Sequence, residues 1–117
     1  MSCKIPAVLL AAVLMASPAF GHAGLVESTP AKDATVAAPK SIKLTFSEKL
    51  SPAFSGFQLS MGDGMNMKTV TKVSSDGMTL TGTPTSPFMA GKWTLSWHAV
   101  SADDGHRTEG SFSFTVK

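Results

Sequence analysis

Three residues of this chain, His22, Asp104 and His106, carry donor atoms of the kind and spacing that can hold a metal ion. A histidine at a free N-terminus supplies two donors at once, because its α-amine and its ring Nδ1 close a six-membered chelate on a single ion. The amine has an unperturbed pKa of about 7.7–8.0, so a metal must displace a proton, which a strongly binding one does at neutral pH. In Asp104-Gly105-His106 a carboxylate and an imidazole stand one residue apart and can point the same way. Amine, two imidazoles and a carboxylate form an N3O set suited to tetragonal Cu(II), which also heads the divalent affinity order. Each piece has a plain alternative: Asp-Gly is a common turn pair, an Asp-x-His in a loop is commonly solvated, and a terminal histidine can follow merely from where a peptidase cuts.

The chelate exists only if His22 becomes the first residue, and the N-terminus reads as a segment that export removes. Lys4 precedes an apolar run over residues 5–16 that is too short for a lasting membrane anchor and suits a signal-peptide core. Pro18 breaks the helix, and Ala19-Phe20-Gly21 puts small residues at the two positions a signal peptidase reads, so cleavage after Gly21 is expected. A cut after Ala19 would leave Phe20 at the terminus and is less favoured. The domain division is therefore a signal peptide over 1–21 and one small domain over 22–117, with the periplasm as the expected compartment. Cys3, the only cysteine, leaves with the signal, so the mature domain has no disulfide or lipid anchor and is stabilised by packing. Without Lys4, nine basic residues face eight acidic ones. That near-neutral balance, with no basic cluster or aromatic platform, argues against nucleic acid as a partner.

The donors need a scaffold, and the mature sequence reads as short alternating segments separated by turn residues. Ile42, Leu44 and Phe46 alternate with polar neighbours, as do Phe57, Leu59 and Met61, and then Phe112, Phe114 and Val116. Strands are expected over 25–27, 41–46, 56–61, 68–73, 78–83, 92–100 and 111–116. No helix-period stripe of useful length is present. About seven strands in under a hundred residues predict an all-β fold, an immunoglobulin-like β-sandwich of Greek-key type. Asp104 and His106 then fall in a turn just before the last strand. In the strand over 92–100, Trp93, Leu95 and Trp97 share one face, so His98 points the other way as an ordinary strand histidine.

The run from His22 to Ala31, Leu44-Thr45-Phe46-Ser47-Glu48-Lys49-Leu50, Phe54-Ser55-Gly56 and the run from Trp97 to Gly110 together resemble the CopC family of periplasmic copper-binding proteins. The resemblance covers the whole mature chain. It implies a small β-sandwich that holds Cu(II) through His22, Asp104 and His106. It also makes Glu48 a candidate for the outer shell that orients ligands or waters, beside the plain alternative of an exposed glutamate at a strand end. Some members carry a methionine-rich loop that binds Cu(I), since thioethers are soft ligands. Here that place is taken by 61–67, which is short and has no histidine. Alternation assigns Met61 to the core and leaves Met65 and Met67 as the pair for Cu(I), with Met61 a further thioether beside them. Met78 and Met89 are accounted for by packing. His98 stands where better-known members have arginine.

The function this implies is a binding protein that sequesters or carries copper in copper resistance and homeostasis, and not an enzyme. In the family such proteins are associated with a CopD-type inner-membrane copper transporter; another periplasmic copper protein is the alternative partner. Two other readings stand beside it. A histidine-brace copper enzyme of the lytic polysaccharide monooxygenase kind needs an open coordination position and a broad substrate face, whereas this chain offers Asp104 as a competing ligand and has no tyrosine. A metal-free structural β-sandwich predicts no effect of blocking the N-terminus.

Overall fold

A computed structural model describes residues 23–62 and 64–117; residues 1–21, where a signal segment is expected, His22 and Asp63 lie outside the described residues. The described chain forms nine strands and one 3-10 turn at Pro52–Phe54. The strands are β1 (Leu25–Thr29), β2 (Thr35–Val36), β3 (Ile42–Phe46), β4 (Gly56–Met61), β5 (Met65–Met67), β6 (Thr69–Val73), β7 (Thr79–Pro84), β8 (Gly91–Val100) and β9 (Arg107–Val116). They divide into two sheets, ordered β1-β3-β7-β6 and β2-β9-β8-β4-β5. Every pairing is antiparallel except β2 with β9.

The all-β sandwich expected from the alternation is present, with two short strands beyond the seven. β2 is two residues long, and β5 turns the expected methionine loop into the return strand of a hairpin. β9 also begins earlier than residue 111, so the Asp104-Gly105-His106 turn leads directly into it.

The core lies between the sheets. Ile42, Leu44, Phe46 and Leu80 from one meet Phe57, Leu59, Trp93, Leu95, Phe112, Phe114 and Val116 from the other. The two layers approach closely enough to dictate a glycine. A Cβ on Gly82 would stand 2.1 Å from Phe57 Cζ, so the Phe57 ring occupies the place a side chain would take. The Trp97 ring similarly covers Gly110, its partner across β8 and β9, and meets Phe46 edge-on at 5.2 Å. Trp93 and Leu95 are buried on this inner side, whereas His98 faces an outer groove with Gln58, Ser96, Arg107 and Glu109, as alternation predicts.

Phe88 departs from its sequence context. Its segment reads as turn, yet its ring packs edge-on against both Trp93 and Phe114, at 5.0 and 6.0 Å. β1 carries an irregularity between Leu25 and Glu27, which leaves Val26 exposed between two paired residues as a bulge. Among the described residues no helix is long and apolar enough to cross a membrane.

Candidate metal centre

Asp104 and His106 lie on the connection that joins the two longest strands, β8 and β9. Three backbone bonds shape that connection: Ser101 N–H to the His106 carbonyl at 3.0 Å, Gly105 N–H to the Ser101 carbonyl at 3.0 Å, and Ala102 N–H to the Lys49 carbonyl at 2.9 Å. Gly105 has φ of 73°, the left-handed conformation that glycine adopts without strain. The Asp104 carboxylate accepts the His106 backbone N–H at 3.0 Å, a local bond of the kind aspartate makes two residues on. That N–H donor is the main reason the Asp104 carboxyl is held below the usual carboxylate range, and the His106 ring adds to it. The carboxylate is therefore ionised and ready for a cation. Both Asp104 and His106 are exposed.

Behind the turn sits a buried polar relay. Ser101, 1% exposed, donates its hydroxyl to Glu48 Oε1 at 3.1 Å and accepts the Asp103 N–H at 3.3 Å. Glu48 is half-buried rather than the freely solvated glutamate of the plain reading, and reaches the turn through Ser101. The motif points to Glu48, but nothing in the spacing pairs it with Ser101.

His22 lies outside the described residues, but the chain that follows it is firmly anchored. Ala23 is fully buried, and its carbonyl accepts the Thr108 hydroxyl at 2.7 Å. Gly24 exchanges two bonds with Ser47: its N–H donates to Ser47 Oγ and its carbonyl accepts the Ser47 N–H, both at 2.9 Å. Thr108 is two residues beyond His106 and pairs with the buried Ala99 across β8 and β9. An inward hydroxyl at such a place needs a partner, which is the signal that could have identified Thr108 from the alternation of β9. Among the described residues no three histidine, cysteine or acidic side chains gather around one point.

His98 is not in this turn. It pairs with Gly56 on one side and Glu109 on the other, three residues along β9 from His106, or about 10 Å at strand spacing. Burial lowers its pKa, the Arg107 charge adds to the shift, and Glu109 opposes it. Arg107 Nε meets Glu109 Oε2 at 3.3 Å on the same exposed face.

The three methionines of the expected soft site separate. Met61 is half-buried, and its Cε occupies the space a Cβ on Gly91 would need, at 2.4 Å. Met67 is 9% exposed and belongs to the core cluster, because β5 pairs it with Leu59 on the inner face. Met65 is 52% exposed. Met65 and Met67 both border a cavity of about 360 Å³, together with Trp93 and Met89. Packing does not account for Met89 after all, since it is 56% exposed.

Comparison with known proteins agrees with this architecture. The CopC domain family model matches residues 25–117. Copper resistance protein C of Xanthomonas campestris pv. juglandis is 44% identical over 117 residues, covering 94% of this chain and 91% of the relative. Copper resistance protein C of Escherichia coli is 38% identical over 127 residues and covers both chains completely. The crystal structure of PcoC, a methionine-rich copper resistance protein from Escherichia coli, superposes with a TM-score of 0.76 at 36% identity, over 83% of this chain and all of that one. CopC from Methylosinus trichosporium OB3b gives 0.76 at 31% identity, over 82% of this chain and 94% of the other. With a family model spanning the described sandwich and relatives this similar along nine-tenths or more of their length, the chain belongs to the CopC family.

Proposed function

We propose that this chain is a copper-binding protein of copper resistance, holding Cu(II) on the α-amine and ring of His22, the His106 imidazole and the Asp104 carboxylate. The observation that carries the reading is the clamp of Ala23 by Thr108. Along β9, Thr108 is about 7 Å from His106, so the bond ties the first described residue of the chain to the same end of the strand as the Asp104-Gly105-His106 turn, which supports a terminal ligand. The ionised Asp104 supplies the hard donor, and Glu48, acting through Ser101, is the outer group that holds the turn in place. A ligand set that fills the equatorial plane of copper suits storage or transfer of the ion rather than oxygen chemistry.

The amine donor exists only after cleavage behind Gly21, so the reading includes export to the periplasm through a removed signal segment. The cargo then passes to a CopD-type membrane transporter or another periplasmic copper protein. Cu(II) titration of the protein beginning at His22, beside a form with one extra residue before it, tests the centre. The extended form is expected to bind more weakly with an altered visible spectrum; equal affinity and identical spectra would refute the terminal chelate.

A second cargo, Cu(I), is favoured by the cavity that Met65 and Met67 share. Thioether sulfur is a soft donor that selects Cu(I) over harder divalent ions.

A further inference from the structure

The geometry points to Met89, on the connection between β7 and β8, as a ligand of the soft-metal cavity, with Trp93 as the residue that positions it. This inference rests on the Cu(I) reading and adds to it a donor from outside the 61–67 segment.

Met89 borders the same cavity as Met65 and Met67. Two of these three thioethers, Met65 and Met89, are more than half exposed, although each apolar side chain of this size is worth about 1.5–3 kcal/mol when buried. Two such side chains left open on one cavity, in a domain that buries Met67 beside them, offer that cavity a pair of soft donors. Met61 is not part of that lining; its methyl group is committed to packing over Gly91.

The Met89 backbone is held on both sides although it belongs to a connection between strands. The preceding residue, Phe88, is buried against Trp93 and Phe114. The Trp93 indole N–H donates to the Met89 carbonyl at 2.9 Å. An exposed side chain on an immobilised backbone is the arrangement that presents a ligand at low entropic cost. Trp93, itself buried, also borders the cavity, so its fluorescence can report an ion bound there. Lys68 also borders the cavity and is exposed. Its charge repels a divalent ion about twice as strongly as a monovalent one at the same distance, which favours Cu(I) or Ag(I) over Cu(II).

The test is competition for Cu(I) against a chromophoric Cu(I) chelator under anaerobic, reducing conditions, with Ag(I) as a redox-inert second probe. The mature protein is compared with Met89→Leu, Met65→Leu and Met61→Leu. Loss of groups that only orient ligands already costs about 10–100-fold in metal affinity. Met89→Leu and Met65→Leu are each expected to weaken Cu(I) by about tenfold or more on that scale, and Met61→Leu to leave it unchanged. Cu(I)-dependent quenching of tryptophan fluorescence should diminish in Met89→Leu, while Cu(II) titration should be unaltered in all three. If Met65→Leu weakens Cu(I) but Met89→Leu matches the parent in affinity and quenching, the Met89 assignment is wrong and the Cu(I) reading survives. If the parent protein takes up neither Cu(I) nor Ag(I), both fall.

Discussion

Thr108→Val removes one hydroxyl and preserves the branched shape, so it isolates the clamp on Ala23. The bond it deletes is short, 2.7 Å, and its acceptor belongs to a residue with no exposed surface. Water cannot readily replace the lost donor, and leaving a buried acceptor unpaired costs about 1–3 kcal/mol. For a domain of this size each kcal/mol lowers the melting temperature by about 4–8 °C. If the carbonyl recovers water by local release of the terminal segment, the loss appears instead as faster exchange of the Gly24 N–H, which donates to Ser47 Oγ. The Ser47 bonds remain, so copper has at most the deleted energy to restore on binding, and Cu(II) affinity should fall by no more than about 5-fold to 140-fold, since each 1.4 kcal/mol corresponds to about tenfold. Thr108→Ser keeps the hydroxyl and should keep the Gly24 protection. Calorimetry of the metal-free protein, amide exchange at Gly24 and Cu(II) competition together decide it. A valine variant that melts and exchanges like its parent would refute the clamp and remove the main physical support for the terminal chelate.

Ser101→Ala should destabilise the metal-free protein by about 1–2 kcal/mol through loss of a buried donor, read by denaturant titration. It should also weaken Cu(II) by about tenfold if the Glu48 relay orients the turn. Gly82→Ala forces a Cβ against Phe57 and should cost about 1–3 kcal/mol by overpacking, with Phe57→Leu in the same chain restoring part of the loss in thermal melts. His98 has a folded pKa below its unfolded value, so the unfolded chain binds more protons between the two. Its contribution is fully present above the unfolded pKa and is lost as pH falls through the folded one. His98→Gln should therefore flatten the acid side of the stability curve, measured by melting temperature against pH in the metal-free protein.

The parts of the fold that sequence alone revealed are those with enough residues to show a period. β3 buries Ile42, Leu44 and Phe46 and exposes or half-exposes the residues between, and β9 repeats the pattern at Phe112, Phe114 and Val116. β2 has two residues and pairs in parallel with the end of β9, so no alternation could announce it. β5 follows Gly62 and Gly64, both at positive φ, and turn residues so close together masked a three-residue strand. That strand is why Met67, expected to be a loop ligand, lies with Leu59 on the inner face. At the candidate site, Asp104, His106 and Glu48 were legible because their types and neighbours form a motif. Ser101 and Ser47 were not, because a serine reads the same whether it pairs inside the fold or faces water, and Thr108 offered only the inward place that the alternation of β9 assigns it. Met89 was misread for the same reason: composition does not distinguish a packed thioether from an exposed one.

The bulge that leaves Val26 between paired residues of β1 belongs to a wider arrangement at the margins of both sheets. β2 and β5, the outer strands of one sheet, are two and three residues long. In the other sheet β1 is interrupted, and β6 lies close to β4, where a Cβ on Gly56 would stand 3.8 Å from Thr71 Oγ1. Short and interrupted margins lack the long regular run of free backbone groups by which one chain templates the next. Margins built this way work against strand-to-strand recruitment between copies of the domain when many of them crowd together.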